Sequence, residues 1–334
     1  MRENLDAPTA AALAQCRAIT STGSKSFSLA ARLFPRDIRD AVFFLYGWCR
    51  YCDDEIDERR GDTAGRRAAR LAALSAGTRS AIAGEPQRDP VFLALGHVAA
   101  RYRIPAHYPL ELIEGMAMDA RGETYETLDD LLLYCYRVAG TVGLMMAHVM
   151  GVSDERAFKN AAHLGIAMQL TNIVRDVVAD AADGRVYLPR AWLTEAGIPV
   201  LSLGNPRYRG ELAAVARRLL MEAERYYRSA DVGVRSLSFR CAVAVGAARY
   251  IYADIGTLVS RRGPAAWDER VFTPRRRKLA AVARAVALAL RPARLFRAAS
   301  TAPIGRVWRF PDVVKLSDEV KSCSLYHGLF SRSN

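Results

Sequence analysis

The chain has 334 residues, of which 51% are hydrophobic and 25% are charged. This composition excludes a disordered or fibrous protein and is sufficient for one large globular domain or two small ones. The formal net charge of +13 favours an anionic partner, which can be a nucleic acid, an acidic membrane surface or a phosphorylated small molecule.

The N-terminal segment and the cysteines indicate a cytoplasmic protein. The first 20 residues include Glu3 and Asp6 and lack an apolar stretch of signal-peptide length. Six cysteines are spread along the chain without the density of a disulfide scaffold, which agrees with a reducing compartment. Cys49 and Cys52 form a C-x-x-C pattern, but no second pair or nearby histidine completes a zinc site. We therefore expect them to be packing residues.

Apolar residues recur at helical spacing along most of the chain, and no run alternates as a strand does. Pro35 can open a helix that continues through IRDAVFFLYGWCRYCDDEID. The sequence therefore predicts an all-α protein, with residues 1–300 in a single helical domain and residues 301–334 as a loosely ordered tail. Further helical patterns lie at about 65–83, 90–102, 106–121, 128–150, 154–181, 208–229, 238–261 and 274–297.

Residues 131–152, LLLYCYRVAGTVGLMMAHVMGV, are long and apolar enough to suggest a membrane span. Arg137 and His148 interrupt the stretch, and its glycines suit close packing or a cavity wall. We therefore expect a buried helix here. Gly140, Gly143 and Ala147 fall at i, i+3 and i+7, and we expect this face of small residues to border a cavity, with close helix packing as the alternative.

Two of the predicted helices carry a polar stripe on an otherwise apolar segment. Each stripe follows helical spacing and ends in two aspartates four residues apart. Such a stripe is costly to bury unless it binds something. The first stripe consists of Tyr46, Arg50, Asp53 and Asp57, and the second of Gln169, Asn172, Asp176 and Asp180.

The spacing of the aspartates is weak by itself, because a D-x-x-x-D pattern is expected about once by chance in a chain of this length. A solvated helix face is the alternative for Asp53 and Asp57, which lie in the acidic cluster DDEIDE. A solvated face is a weaker explanation for the second stripe, because Gln169 and Asn172 extend its polarity into an apolar run. A calcium loop around Gly184 is excluded, because alanines would occupy its first and third positions.

Two carboxylate pairs that face one another across helices suit Mg²⁺, which takes few protein oxygens and shares its remaining sites with water and phosphate. The bound anion would then be a diphosphate. Arg50 and Arg175 lie beside the carboxylates in sequence and can contact diphosphate oxygens.

Five segments together resemble the squalene/phytoene synthase family, in the family's order and over nearly the whole chain. LGIAMQLTNIVRDVVADAADGRVYLP at 164–189 resembles its second signature, and YCYRVAGTVG at 134–143 resembles its first. SKSF at 24–27, YGWCRYCDDEID at 46–57 and WDERVF at 267–272 resemble further family blocks. The amino-acid sequences of segments 131–151 and 162–189, together with the AWDER segment, are most similar to those of the bacterial members that form 15-cis-phytoene.

The resemblance implies an all-α isoprenoid synthase fold, with helices around a central catalytic cavity where two aspartate-rich motifs hold Mg²⁺, or Mn²⁺ in its place, against prenyl diphosphates. The implied metal ligands are Asp53, Asp57, Asn172, Asp176 and Asp180. The implied diphosphate contacts are Ser24, Ser26, Arg50, Arg175, Tyr252 and Arg270, with Tyr250 as the alternative to Tyr252. The implied lining of the reaction chamber is Phe27, Tyr46, Tyr134 and Gln169.

The implied reaction joins two C20 geranylgeranyl diphosphates head to head, through a cyclopropyl diphosphate, to give phytoene. One alternative is coupling of C15 units to squalene, hydroxysqualene or dehydrosqualene. Squalene itself would require NADPH, which is not expected here because no G-x-G-x-x-G follows a strand. A non-catalytic basic protein that binds membrane or nucleic acid is the alternative outside the class, but it would not need two carboxylate stripes.

Basic residues cluster near the C-terminal end of the helical region, in PRRRK at 274–278 and at Arg291, Arg294 and Arg297. Aromatic residues are sparse there and no nucleic-acid recognition motif accompanies them. Because the implied substrate and product are lipids, we expect peripheral contact with the anionic inner face of a membrane and no nucleic acid. The oligomeric state is not indicated.

Overall fold

The computed structural model describes residues 5–23, 30–57 and 63–290, without the side chains of Gly23, Asp57 and Ala64. Ser24, Ser26, Phe27 and the predicted tail lie outside the described residues. The described part is helical and contains no strand, which confirms the all-α prediction. Its α-helices are α1 Ala7–Gly23, α2 Arg36–Asp57, α3 Ala64–Ile82, α4 Pro90–Tyr102, α5 His107–Arg121, α6 Leu128–Cys135, α7 Thr141–Val149, α8 Glu155–Ala182, α9 Arg190–Glu195, α10 Arg209–Val234, α11 Phe239–Arg262 and α12 Arg275–Ala289.

Three boundaries differ from the sequence prediction. No helix was predicted before Pro35, yet the alanine-rich segment Ala7–Gly23 forms α1. The predicted continuous helix at 128–150 is interrupted by a π-helical turn, Tyr136–Gly140, between α6 and α7. The helix predicted for 274–297 ends as an α-helix at Ala289.

The start of α6 is fixed by a capping box, which matters because α6 carries Tyr134. The side chain of Thr127 accepts a hydrogen bond from the backbone N–H of Asp130, and the Asp130 carboxylate accepts one from the backbone N–H of Thr127 at 2.8 Å. Two N–H groups at the helix start thus gain partners. The cap sets the angle at which α6 enters the core.

Helix α8 is the central helix of the fold. It packs against α7, the π-helical turn, α10 and α11, and its buried residues are distributed around the helix rather than along one stripe. One contiguous core of buried residues extends from Ala12 to Val271. Polar residues of α8 are therefore held in the interior of the protein.

Two glycines allow α8 to approach the π-helical turn and α7 closely. A Cβ atom added to Gly165 would overlap the backbone carbonyl of Ala139, and one added to Gly143 would overlap the backbone carbonyl of Ala161. Backbone atoms cannot move aside as side chains do. The two segments can therefore make this contact only with glycine at both positions.

Two helical stretches, Leu128–Val149 and Phe239–Trp267, are long and apolar enough to cross a membrane, but 61% of the tested window of each is buried inside the protein. Core packing accounts for their composition. The C-x-x-C thiols are also buried, and burial raises the pKa of both Cys49 and Cys52 well above the ordinary value. Neutral buried thiols are poor metal ligands and poor nucleophiles.

Candidate active site

A cavity of about 370 Å³ lies between α2, α5, α7, α8, α10 and α11. Residues from both polar stripes line it. The helices thus bring together two motifs that are more than 100 residues apart in sequence, as the facing-stripe hypothesis requires. The stripe residues in the cavity wall are Tyr46, Arg50 and Asp53 from α2, and Gln169 and Asn172 from α8.

Away from the stripes, the cavity wall is almost entirely apolar. The exceptions are Asp119 on α5 and Asn160, which lies in the wall that α8 and α10 form. Such a chamber suits a prenyl chain, because it buries hydrocarbon and keeps water away from it. Representative apolar residues of the wall are Val142, Met146, Leu164, Met168, Val234 and Ile251.

On α2, Arg50 connects two neighbouring carboxylates. It donates to Asp53 at 2.8 Å and lies 2.6 Å from Asp54. The Asp53 side chain is 43% exposed and lies in the cavity wall, whereas Asp54 does not line the cavity. Asp57 is the last residue of α2, and its side chain is not described.

On α8, Asp176 is held by two arginines. Arg175 donates two hydrogen bonds to it, and Arg270 donates two more at 3.0 and 2.9 Å. Burial acts to raise the pKa of Asp176, but the hydrogen bonds from the arginines outweigh burial and hold that pKa below its ordinary value. Asp176 is therefore ionised and already neutralised by protein cations.

Asp180, one turn further along α8, has the opposite electrostatic setting. Burial and then the charge of Asp176 raise its pKa from 3.8 to about 7, although Arg185 acts in the opposite direction and Asp119 adds to the rise. An added cation would stabilise the ionised form of this carboxyl. A cation beside Asp180 would therefore lower its pKa towards the ordinary value.

Asn172 supplies an unpaired oxygen beside these carboxylates. Its Oδ1 atom is buried and has no hydrogen-bond partner among the described residues, while its Nδ2 donates to Gln169 at 3.4 Å. A buried oxygen without a donor is costly, and amide oxygens suit Mg²⁺. The oxygen-only donors Asn172, Asp176 and Asp180 thus fit the implied ion.

The described side chains nevertheless form no group of three histidines, cysteines or acids arranged to hold a metal. Arg50 pairs with Asp53, and Arg175 and Arg270 pair with Asp176. In the described regions, arginines therefore neutralise two of the implied ligands, Asp53 and Asp176.

The structure distinguishes the two tyrosines that the sequence left open. Tyr252 lines the cavity. The Tyr250 ring instead contacts the guanidinium groups of Arg249 and Arg284, with centroid distances of 4.6 and 4.2 Å. Of the two tyrosines, Tyr252 is therefore the one that borders the cavity.

A tyrosine cluster around Asp119 was missed in the sequence. Tyr134 and Tyr187 each donate a hydrogen bond to Asp119 at 2.8 Å, and their rings stack with centroids 5.0 Å apart. Burial and then the Asp119 charge raise the pKa of both hydroxyls, so they remain protonated donors. Asp119 and Tyr134 line the cavity. The sequence contains a feature that could have indicated this cluster. Asp119 is a charged residue within the apolar run GMAMDA, just as Asp176 is a charged residue within the apolar segment of α8.

The face of small residues was predicted correctly only in part. Gly143 and Ala147 lie in the cavity wall, but Gly140 does not. A Cβ atom on Gly140 would lie 3.0 Å from the Tyr136 ring and 3.5 Å from the carbonyl oxygen of Ala162, so Gly140 faces α8. The prediction failed there because Gly140 ends the π-helical turn, where regular helical spacing does not hold.

Comparison with known proteins agrees with this geometry. Residues 20–278 match the squalene/phytoene synthase family. The chain belongs to this family. It is 44% identical over 265 residues to the 15-cis-phytoene synthase of Pantoea ananas, covering 78% of this chain and 86% of that protein. It is 46% identical over 271 residues to the 15-cis-phytoene synthase of a Paracoccus species, covering 80% and 88%.

Solved structures of the family share the fold. A crystal structure of a dehydrosqualene synthase in complex with ligand matches with a TM-score of 0.74 and 29% identity, over 84% of this chain and 96% of that chain. A squalene synthase from Alicyclobacillus acidocaldarius matches with a TM-score of 0.70 and 28% identity, over 78% and 97%. The expected isoprenoid synthase fold is confirmed.

Proposed function

We propose that the protein is a prenyltransferase that condenses two molecules of geranylgeranyl diphosphate to 15-cis-phytoene, the first committed step of carotenoid biosynthesis. The observation that carries this proposal is a largely apolar cavity that both stripes line, through Tyr46, Arg50 and Asp53 of the first and Gln169 and Asn172 of the second. It is supported by relatives at 44% and 46% identity that are named 15-cis-phytoene synthase. Coupling of C15 units is the weaker reading, because the squalene and dehydrosqualene synthases match at 28–29% identity.

The arginines that pair with the stripe aspartates would bind the diphosphate groups. Arg50 lies in the cavity wall, and Arg270, with a side chain 58% exposed, can turn from Asp176 towards a diphosphate oxygen. Guanidinium groups bind such oxygens in pairs. Asp53, Asp57, Asn172, Asp176 and Asp180 would hold Mg²⁺, or Mn²⁺. When bound, the ion supplies Lewis-acid assistance to departure of diphosphate.

The apolar chamber would protect the carbon chemistry. Loss of diphosphate leaves an allylic cation, which the double bond of the second substrate attacks. Loss of a proton then gives the cyclopropyl diphosphate. This compound ionises in turn, rearranges and loses another proton to give phytoene. The sequence ends in proton loss rather than hydride addition, so NADPH is not required. The Tyr134 ring lines the cavity and is held by its hydrogen bond to Asp119, so it would stabilise positive charge that develops there.

We also propose that the enzyme works in the cytoplasm at the inner face of a membrane. Geranylgeranyl diphosphate is an anionic lipid, and phytoene is a hydrocarbon that leaves water for a bilayer. The net charge of +13 favours anionic headgroups.

Incubation of the purified protein with labelled C20 or C15 diphosphate in detergent, with and without Mg²⁺, tests this function. We expect phytoene from the C20 substrate only when Mg²⁺ is present. Chelation by EDTA should stop the reaction and added Mg²⁺ should restore it. A preference for the C15 substrate would establish the alternative, and the absence of any coupling would exclude both.

A further inference from the structure

The outward face of α12 carries an apolar stripe that the described part of the chain leaves uncovered. Leu279 and Leu290 are 73% and 67% exposed, and the three alanines between them on the same face are also exposed. At 3.6 residues per turn these residues fall within roughly 100° of the helix circumference. The α12 stripe consists of Leu279, Ala280, Ala283, Ala287 and Leu290.

Basic residues border this stripe, and α12 contains no acidic residue. Arg275 and Arg284 project from opposite sides of the stripe by helical spacing, and Arg276 is exposed at its N-terminal end. Arg284 also lies 3.4 Å from Asp254. Long basic side chains beside an apolar stripe can lay their stems along apolar surface while their charges reach anionic groups. The basic residues of α12 are Arg275, Arg276, Arg277, Lys278 and Arg284.

The apolar surface continues towards the active site. Phe272, just before α12, is 69% exposed, and the Arg270 guanidinium lies 5.7 Å from the centre of its ring. The same Arg270 binds Asp176. The exposed surface therefore begins beside the Arg270–Asp176 ion pair and continues along α12.

We propose that the α12 stripe, its basic border and Phe272 form the surface by which this protein lies on an anionic membrane. The inference rests on the proposed function, because that function gives the enzyme a lipid substrate and a hydrocarbon product. An apolar face bordered by Lys and Arg is the pattern of helices that lie in the headgroup region of a bilayer.

The charge of α12 favours a membrane over two other partners that could cover the α12 stripe, namely a second copy of the protein and its own C-terminal segment. A symmetric dimer through α12 would place one helix with five cations and no acid against an identical helix, and like charges repel. The C-terminal segment 291–334 contains eight Lys or Arg residues and three Asp or Glu residues, so it also has the wrong sign to cover α12. An anionic surface complements both segments.

The position of α12 gives this docking a consequence for the product. On its inner side, Ala285 packs against Gly246 of α11, and the α11 residues Val245 and Ala248 line the cavity. Two helices, α11 and α12, each about 10 Å thick, therefore lie between the chamber and the proposed membrane surface. Phytoene that leaves the chamber on this side of the fold would enter the bilayer without crossing bulk water.

Sedimentation of the full-length protein with vesicles tests the surface. Vesicles of phosphatidylcholine are compared with vesicles that also contain phosphatidylglycerol, and coupling of C20 diphosphate is measured separately in detergent. The variant pair Arg275→Gln and Arg276→Gln removes two exposed cations, and Leu279→Ser with Leu290→Ser removes the leucines of the stripe. Matched controls are Arg66→Gln with Arg101→Gln on α3 and α4, and Leu201→Ser, whose side chain is fully exposed.

We expect the wild type to bind only the anionic vesicles. Loss of the two cations should weaken that binding about 25-fold, at roughly fivefold for each. Loss of the leucines should weaken it about tenfold. The controls should bind as wild type, and every variant should retain its activity in detergent.

Wild-type protein that fails to bind anionic vesicles, or α12 variants that bind as wild type, would overturn the proposed surface. So would a dimer in gel filtration that the leucine variant dissociates, because the stripe would then be an interface between copies. Absence of coupling activity in detergent would instead contradict the proposed function, which the vesicle measurement does not address.

Discussion

Arg270 and Asp176, 94 residues apart in sequence, are joined by two hydrogen bonds of 3.0 and 2.9 Å. Arg175, which lies on the same helix as Asp176, also donates a hydrogen bond to this carboxylate. An incoming cation therefore competes with guanidinium groups for Asp176, and diphosphate offers Arg270 an alternative partner. Binding of metal and binding of diphosphate should consequently favour one another.

Replacement of Arg270 by Gln should weaken substrate binding. Hydrogen bonds to charged groups are worth about 1.5–3 kcal/mol, so we expect KM for C20 diphosphate to rise about 10- to 100-fold. Steady-state kinetics at several Mg²⁺ concentrations measures this. Arg262→Gln, an exposed neighbour that donates to the backbone of Glu269 at 3.3 Å, is the control. An unchanged KM in the Arg270 variant would show that Arg270 serves only to neutralise Asp176.

Asp53 and Asp54 provide a matched pair on α2. Both pair with Arg50, but Asp53 lines the cavity and Asp54 does not. Asp53→Asn should lower kcat by about 10²-fold or more, as loss of an electrostatic group at the reacting centre does, while Asp54→Asn should cost less than about tenfold. Circular dichroism checks that both variants remain helical. Equal losses of kcat in the two variants would imply that these carboxylates act by holding Arg50 in position, rather than by binding a metal.

Asp180→Asn should stabilise the protein while it lowers turnover. The carboxyl titrates near pH 7 in the folded protein and at the ordinary 3.8 in the unfolded chain. Its contribution to stability is therefore present below about pH 4 and is lost as pH rises through 7. At pH 8 without Mg²⁺, removal of the charge should raise the free energy of unfolding by up to about 4 kcal/mol, and Tm by several degrees.

Thermal unfolding at pH 8 and at pH 5 measures this difference, which should be smaller at pH 5, where the wild-type carboxyl is mostly protonated. The exposed Asp183→Asn is the control and should leave Tm almost unchanged. A lower Tm for Asp180→Asn at pH 8 would contradict this prediction. It would mean that the ionised Asp180 carboxylate makes favourable interactions in the folded protein.

The cluster around Asp119 should control turnover through Tyr134. Asp119→Asn removes the charge that accepts hydrogen bonds from Tyr134 and Tyr187, and loss of such a supporting contact lowers activity about 10- to 100-fold. Tyr187→Phe breaks one of the two hydrogen bonds and should have a smaller effect. If the residues act together, the double variant should be no worse than Asp119→Asn alone. Additive losses in kcat would show independent roles.

Residue 147 should affect chain length, and residue 143 should affect folding. Ala147 is in the cavity wall, so Ala147→Phe should suppress coupling of C20 diphosphate more than any coupling of C15 diphosphate. Gly143→Ala should instead lower the yield of folded protein, because the added methyl overlaps the Ala161 carbonyl. Product analysis and thermal unfolding distinguish the two. Equal loss of both couplings in Ala147→Phe would mean that this wall is only structural.

The helices and the two stripes were predictable because they depend on local periodicity. Gln169 and Asn172 could be placed beside Asp176 from spacing alone, and both reach the cavity that Asp53 also lines. Pairings across the fold were not predictable in this way. Asp119 and Tyr187, which are joined by a hydrogen bond, are 68 residues apart in sequence. Asp176 and Arg270, which form an ion pair, are 94 residues apart. Both depend on how helices pack, which helical spacing does not encode.

The π-helical turn at Tyr136–Gly140 makes the chain intolerant of a particular kind of evolutionary change. A wider turn accommodates one residue more than an α-helical turn would, so the helix on either side of it is out of phase by about 100°. Deletion of a single residue there would keep the segment helical and apolar, yet rotate Tyr134 relative to Ala147. The number of residues in this segment is therefore constrained independently of which side chains it carries.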